Sequence, residues 1–167
     1  MQSYRTHYSK DVSSKDFGKN ITVAGWVEDV RNIGSIGFII LRDRKGTLQL
    51  TVFKKENAEL FEKIVNIPRE SVVCASGLCK ESKQARNGYE VIPKEFEVLS
   101  AASTPLPLGV VDKIESELET RLDNRFIDLR KQEIQAIFKI RNAVINEAHV
   151  YLRNNDFIEI HTPKIIA

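Results

Sequence analysis

Five stretches rich in β-branched and aromatic residues, with one helical stretch between the third and fourth, constrain this chain more than any other feature. The first, "ITVAGWVEDVR" at 21–31, alternates roughly, with a bend expected at Gly25. "IGFIILRD" and "GTLQLTVF" follow, divided by the charged turn "DRKG". In "ENAELFEKIVNI" at 56–67, Leu60, Phe61, Ile64 and Val65 recur at helical spacing, and Pro68 stops the helix. "SVVCASGLCKES" and "YEVIPKEFEVLS" complete the set, split by the basic loop "KQARNG".

The order strand, strand, strand, helix, strand, strand is the pattern of a five-stranded OB-fold barrel with one helix. The texture changes at residue 101, so the barrel domain is expected over 1–100. Prolines and a glycine without clean periodicity mark a hinge linker over 101–121. Over 122–167 a further domain begins. Ile134, Ile137, Phe138, Val144, Ile145, Ala148, Tyr151 and Leu152 form one stripe of a long amphipathic helix. "DFIEIHTPKIIA" then reads as a strand with nothing to pair with, so the chain reads as the front portion of something longer.

The second and third strands carry a functional argument. If the turn is Asp43 to Gly46, Phe38 faces Thr51, Ile40 faces Gln49 and Arg42 faces Thr47. Gly37, Ile39, Leu41, Leu48, Leu50 and Val52 then share the other face, which is apolar and belongs inside the barrel. Phe38 and Gln49 are left on the outer wall. An exposed ring there offers an unpaired base a stacking surface, and a neighbouring amide offers a donor and an acceptor for a base edge. Arg31 and Arg42 could hold phosphates or stack. The competing reading has Phe38 covered by the linker or a helix and Gln49 merely solvated.

Composition narrows the rest. Of the 167 residues, 42% are apolar, enough to bury a core. A net charge of +2 and a pI near 8.5 decide nothing about nucleic acid on their own. No apolar run suits a membrane span, and the polar N-terminus lacks an export signal, which suits a cytoplasmic protein. Cys74 and Cys79 have no metal-site or redox spacing and are expected as two buried reduced thiols on opposite faces of a strand. His7, His149 and His161 are scattered, so no metal site is expected.

"VAGWVEDVRNIGSIGFIILRDRKGTLQL", "TPLPL", "TRLDNRFIDLR" and "FIEIHTPKI", in that order, resemble the cytosolic and archaeal type of aspartyl-tRNA synthetase, a class II aminoacyl-tRNA ligase. The resemblance covers nearly the whole chain. It implies that the barrel binds the anticodon loop of tRNA-Asp, with tRNA-Asn as a further candidate. By that resemblance Phe38 stacks on the middle anticodon base, Gln49 reads its edge, Arg31 lies beside the first or middle base, and Glu90 reads the last base. "DFIEIHTPKI" is similar to class II motif 1, which builds a homodimer interface, with Pro163 as its fixed proline. The family usually has glycine where this chain has Asp156, so a small strain or a modified turn is expected there, with no change of function.

The resemblance also implies ATP and Mg²⁺ for the whole enzyme. The family's motifs 2 and 3, which hold them, are not among these 167 residues, so no catalytic residue and no cofactor is expected in this chain and it is expected to be inactive alone. The asparagine enzyme, an enzyme charging both tRNAs, and a free-standing OB protein that binds single strands remain as alternatives.

Overall fold

The structure, a computed structural model, describes residues 4–111 and 116–165. Residues 112–115 of the expected linker and 166–167 of the expected last strand lie outside the described residues. The chain divides into two compact units, Met1–Leu106 and Pro107–Ala167.

The first unit holds β1 (Asn20–Ile33), β2 (Ile36–Arg42), β3 (Thr47–Phe53), α1 (Ala58–Val65), β4 (Val72–Glu81) and β5 (Tyr89–Ser100). They close into a barrel in the order β1-β2-β3-β5-β4. All neighbours are antiparallel except β3 and β5, which run parallel and pair only at Gln49↔Glu90 and Leu50↔Val91. This is the expected OB barrel.

The β2–β3 register is the expected one: Phe38↔Thr51, Ile40↔Gln49 and Arg42↔Thr47. The turn between them is built by Asp43, whose Oδ1 accepts from the Lys45 and Gly46 backbone N–H groups at 2.7 and 3.0 Å. The same carboxylate ties down the N-terminal segment, accepting from the Ser9 backbone N–H at 2.6 Å and the Ser9 hydroxyl at 2.8 Å. Ile39, Leu41, Leu48, Leu50 and Val52 are all buried in the barrel. From α1, capped by the Asn57 side chain on the Leu60 N–H, Phe61 and Ile64 join them.

Two local expectations shift. The irregularity in β1 falls between Val27 and Asp29, not at Gly25. Gly25 serves a close approach instead, since a Cβ there would lie 2.2 Å from the Arg42 carbonyl oxygen. Of the two thiols, Cys79 is buried in the core, but Cys74 is only half-buried, with its Sγ 3.2 Å from the Tyr4 carbonyl. Burial raises both thiol pKa values above the ordinary range, so both resist forming the reactive thiolate.

The second unit begins its helices earlier than expected. α2 (Leu118–Asp123) occupies the last positions of the segment read as linker, and α3 (Arg125–Asp128) follows it. Asp128 is fully buried and organises this turn. Its carboxylate accepts from Arg121 Nε at 3.0 Å and Arg125 Nη1 at 2.8 Å. Burial pushes its pKa up, but Arg121 and its neighbouring cations outweigh this and hold it below the ordinary value.

The long helix is present as α4 (Gln132–Asn154), and its apolar stripe is largely exposed, Ile137, Phe138, Val144, Ile145, Tyr151 and Leu152 among it. The strand expected after it is absent from the described residues: 157–165 form no ladder. A strand exists only through its partner's hydrogen bonds, and no described segment supplies one.

α4 ends in a Schellman motif. The Phe157 N–H donates to the Leu152 carbonyl at 3.1 Å and the Asp156 N–H to the Arg153 carbonyl at 3.3 Å. This puts Asp156 at φ 65°, so the turn keeps the left-handed form that glycine adopts without strain, and of the two expectations it is the small strain, not a modified turn, that the geometry matches. Asp156→Gly is therefore expected to stabilise this helix end by about 0.5–1 kcal/mol. Slower hydrogen exchange of the Phe157 amide would show it, and faster exchange would refute it.

Candidate nucleic-acid interface

Residues paired across neighbouring strands share a face of the barrel. One row across the outer wall is Arg31 on β1, Phe38 on β2 and Thr51 on β3. The next is Asp29 on β1, Ile40 on β2, Gln49 on β3 and Glu90 on β5. Arg31, Phe38, Gln49 and Glu90, the four residues singled out from sequence, thus lie on two adjacent rows of one wall. Phe38 is half-buried and Arg31 is exposed. Pro163 belongs to the second unit, where it is exposed in an irregular stretch.

The polar end of this wall is ordered internally. Gln49 Nε2 donates to Glu90 Oε2 at 3.0 Å and to Thr51 Oγ1 at 3.2 Å. The Thr51 hydroxyl donates to the same Glu90 oxygen at 2.6 Å. A carboxylate offers only acceptors, so the NH₂ of the amide must face Glu90. The Gln49 carbonyl oxygen is therefore turned the other way, presented as an acceptor. The wall offers a ring for stacking and, on the adjacent row, an oriented amide and a carboxylate, which suits the face and edge of an unpaired base.

Arg42, expected as a phosphate ligand, is excluded from that role. It is 7% exposed and makes a double hydrogen bond to Glu70 at 2.7 and 2.8 Å, with Glu28 at 3.3 Å. Alternation puts Arg42 on the outer side of β2, but Glu70 and Glu28 close over it there.

Three residues escaped the sequence reading. Thr51 sits on the expected face, yet its hydroxyl's role depends on β3 meeting β5. Asp29 and Arg69 meet across a separation of forty residues, with a 2.6 Å hydrogen bond, and no local pattern announces such a contact. Burial pushes the Asp29 pKa up, but Arg31 and Arg69 outweigh it and hold it below the ordinary value.

With this geometry in place, two families match the chain. An OB-fold nucleic acid binding domain, tRNA_anti-codon, covers residues 21–99, and the class II tRNA synthetases (D, K and N) cover residues 117–167. The chain thus carries an OB-fold anticodon-binding domain followed by a class II tRNA synthetase segment. Its similarity runs to the aspartate enzymes in particular. It is 47% identical to the aspartate–tRNA(Asp) ligase of Pyrococcus furiosus, over 98% of this chain and 37% of that protein. It is 48% identical to the aspartate–tRNA(Asp/Asn) ligase of Methanosarcina barkeri, again over 98% of this chain and 37% of that one. Among solved structures, asparaginyl-tRNA synthetase from Pyrococcus horikoshii matches with a TM-score of 0.84 at 30% identity, covering 96% of this chain and 38% of that one. The chain thus spans little more than a third of the length of these relatives. No helix among the described residues is long and apolar enough to cross a membrane.

Proposed function

We propose that this chain is the anticodon-recognition region of an aspartate–tRNA ligase, an enzyme that uses ATP to join aspartate to its tRNA in protein synthesis in the cytoplasm. The observation that carries it is the Phe38 ring paired with Thr51 and one row from Gln49 and Glu90, which Thr51 joins in one hydrogen-bonded network on the outer wall. In this reading Phe38 stacks on the middle anticodon base and Gln49 reads its edge. Arg31 lies beside the first or middle base, and Glu90 reads the last. Residues 1–100 are the binding domain, 101–121 the hinge, and 122–167 the start of the catalytic domain. The exposed stripe of α4, with Pro163 after it, then belongs to a homodimer interface.

ATP and Mg²⁺ belong to the whole enzyme in this reading. Among the described residues, no group of three or more His, Cys, Asp or Glu side chains could hold a metal. The relatives' names include both Asp-specific and Asp/Asn ligases, so tRNA-Asn is a second candidate substrate.

The test is binding of an anticodon stem-loop RNA to this chain. Phe38→Ala is expected to weaken binding by about 1–3 kcal/mol, the worth of one base stack. Gln49→Ala is expected mainly to reduce discrimination at the middle anticodon base, because an amide reads an edge and a ring does not. Unchanged affinity in a folded Phe38→Ala chain would overturn the stacking role.

A further inference from the structure

We propose that Thr51 is a positioning residue that sets which bases the wall accepts. Its hydroxyl locks the Gln49 amide and the Glu90 carboxylate together, so that each keeps one oxygen as an acceptor for RNA. The group selected at both places is an N–H donor on a base edge. This rests on the reading that an anticodon loop docks on the Phe38 wall.

Thr51 is 2% exposed, so it meets no base itself. Its hydroxyl has one hydrogen, and a carboxylate has none to give. The hydroxyl therefore donates to Glu90 Oε2, at 2.6 Å, and keeps only lone pairs for Gln49 Nε2, at 3.2 Å. The same Nε2 donates to Glu90 Oε2 at 3.0 Å. The bonds run one way, from amide to hydroxyl to carboxylate. Turning the amide over would set its carbonyl oxygen against the carboxylate and against a hydroxyl whose hydrogen is already placed. Two residues on two strands thus oppose the flip, and a chain of this kind strengthens each of its bonds.

The lock decides what remains for a ligand. Glu90 Oε2 takes both internal donors. Among the described residues, Glu90 Oε1 and Gln49 Oε1 have no hydrogen-bond partner, and neither atom is buried. Both reach the surface as acceptors. A base that offers N–H to them gains a hydrogen bond, and one that offers a carbonyl oxygen there leaves two acceptors facing each other. Without Thr51, the amide and the carboxylate hold each other by one 3.0 Å bond, across strands that pair at only two positions.

The plainer role for Thr51 is to fill and fasten the seam between β3 and β5. Valine has nearly the same shape and would fill that space without a hydroxyl to satisfy. What the hydroxyl adds is contact with Gln49 and Glu90, the two polar groups of the reading face.

The experiment titrates labelled anticodon stem-loop RNAs with the full 167-residue chain and its Thr51→Val variant, using loops that differ only at the middle or only at the last anticodon base. Thr51→Val is expected to lower the preference among middle bases and among last bases by about three- to tenfold each, the worth of one hydrogen bond. A loop abasic at both positions should bind the variant and the unmodified chain equally. Thr51→Ser, which keeps the hydroxyl, should restore both preferences. Unchanged preferences in folded Thr51→Val, a fall at one position alone, or an equal fall in Thr51→Ser overturns the proposal. A loss of stability without a loss of preference leaves Thr51 as a fastening only and overturns it too. If Thr51→Val does not fold, Thr51→Ala decides in its place, and if neither folds the hydroxyl is structural and the proposal falls. If Gln49→Ala loses the middle-base preference while Thr51→Val keeps it, the lock falls and the reading of the wall stands. If the unmodified chain shows no preference for any anticodon base, both fall.

Discussion

Arg42→Ala is expected to lower the stability of the barrel unit by about 3–5 kcal/mol, the usual result of stripping one partner from a buried ion pair. The reason is not the strength of the pair. Glu70 is 6% exposed, and without the guanidinium its carboxylate keeps the cost of burial while losing two hydrogen bonds. Glu28, 3.3 Å from the same guanidinium, loses its partner too. The loss should be largely relieved when Arg42→Met is combined with Glu70→Gln, which removes both charges together. Urea unfolding of the barrel unit's core, followed through Trp26 fluorescence, measures both variants. A loss below about 1 kcal/mol in Arg42→Ala, the range of exposed pairs, would show that the cluster is solvated rather than buried.

Leu48→Ala should cost about 2–5 kcal/mol, because Leu48 is 3% exposed inside the barrel and truncation leaves a cavity there. Phe38→Ala, the removal of a larger side chain from a half-buried site on the outside of β2, should cost about 1 kcal/mol or less. The comparison tests the direction of the strands, since a one-residue slip would exchange inside and outside for every side chain of the hairpin. Urea midpoints of the two variants, measured side by side, decide it. A larger loss in Phe38→Ala than in Leu48→Ala would reverse the assignment and remove the proposed stacking surface with it.

The parts of the fold legible in the sequence are those governed by local rules. Period-two alternation and a four-residue turn were enough to place Phe38 opposite Thr51 and Leu48 inside. A helical repeat ended by Pro68 was enough for α1. What escaped depends on distant partners. The charge on Arg42 reads as an outward, solvated group until Glu70, 28 positions later, is known to fold over it. The same holds for Asp29 and Arg69. The strand expected in "DFIEIHTPKIIA" is missing from its described residues for a related reason: alternation gives a segment two faces, but only a neighbour gives it a ladder. In the site itself, the family resemblance supplied Glu90. Its contact with Gln49 follows from the parallel meeting of β3 and β5, which no single-strand pattern contains.

That parallel meeting has a mechanical consequence. β3 and β5 join only at Gln49↔Glu90 and Leu50↔Val91, so the barrel is closed like a cuff by a short clasp. The side-chain bonds among Gln49, Thr51 and Glu90 lie directly over it. The residues that would meet a base are therefore also the fastening of the cylinder. Opening of this seam would separate Gln49 from Glu90 and dismantle the proposed reading surface, and any ligand gripping both strands would hold the cuff shut.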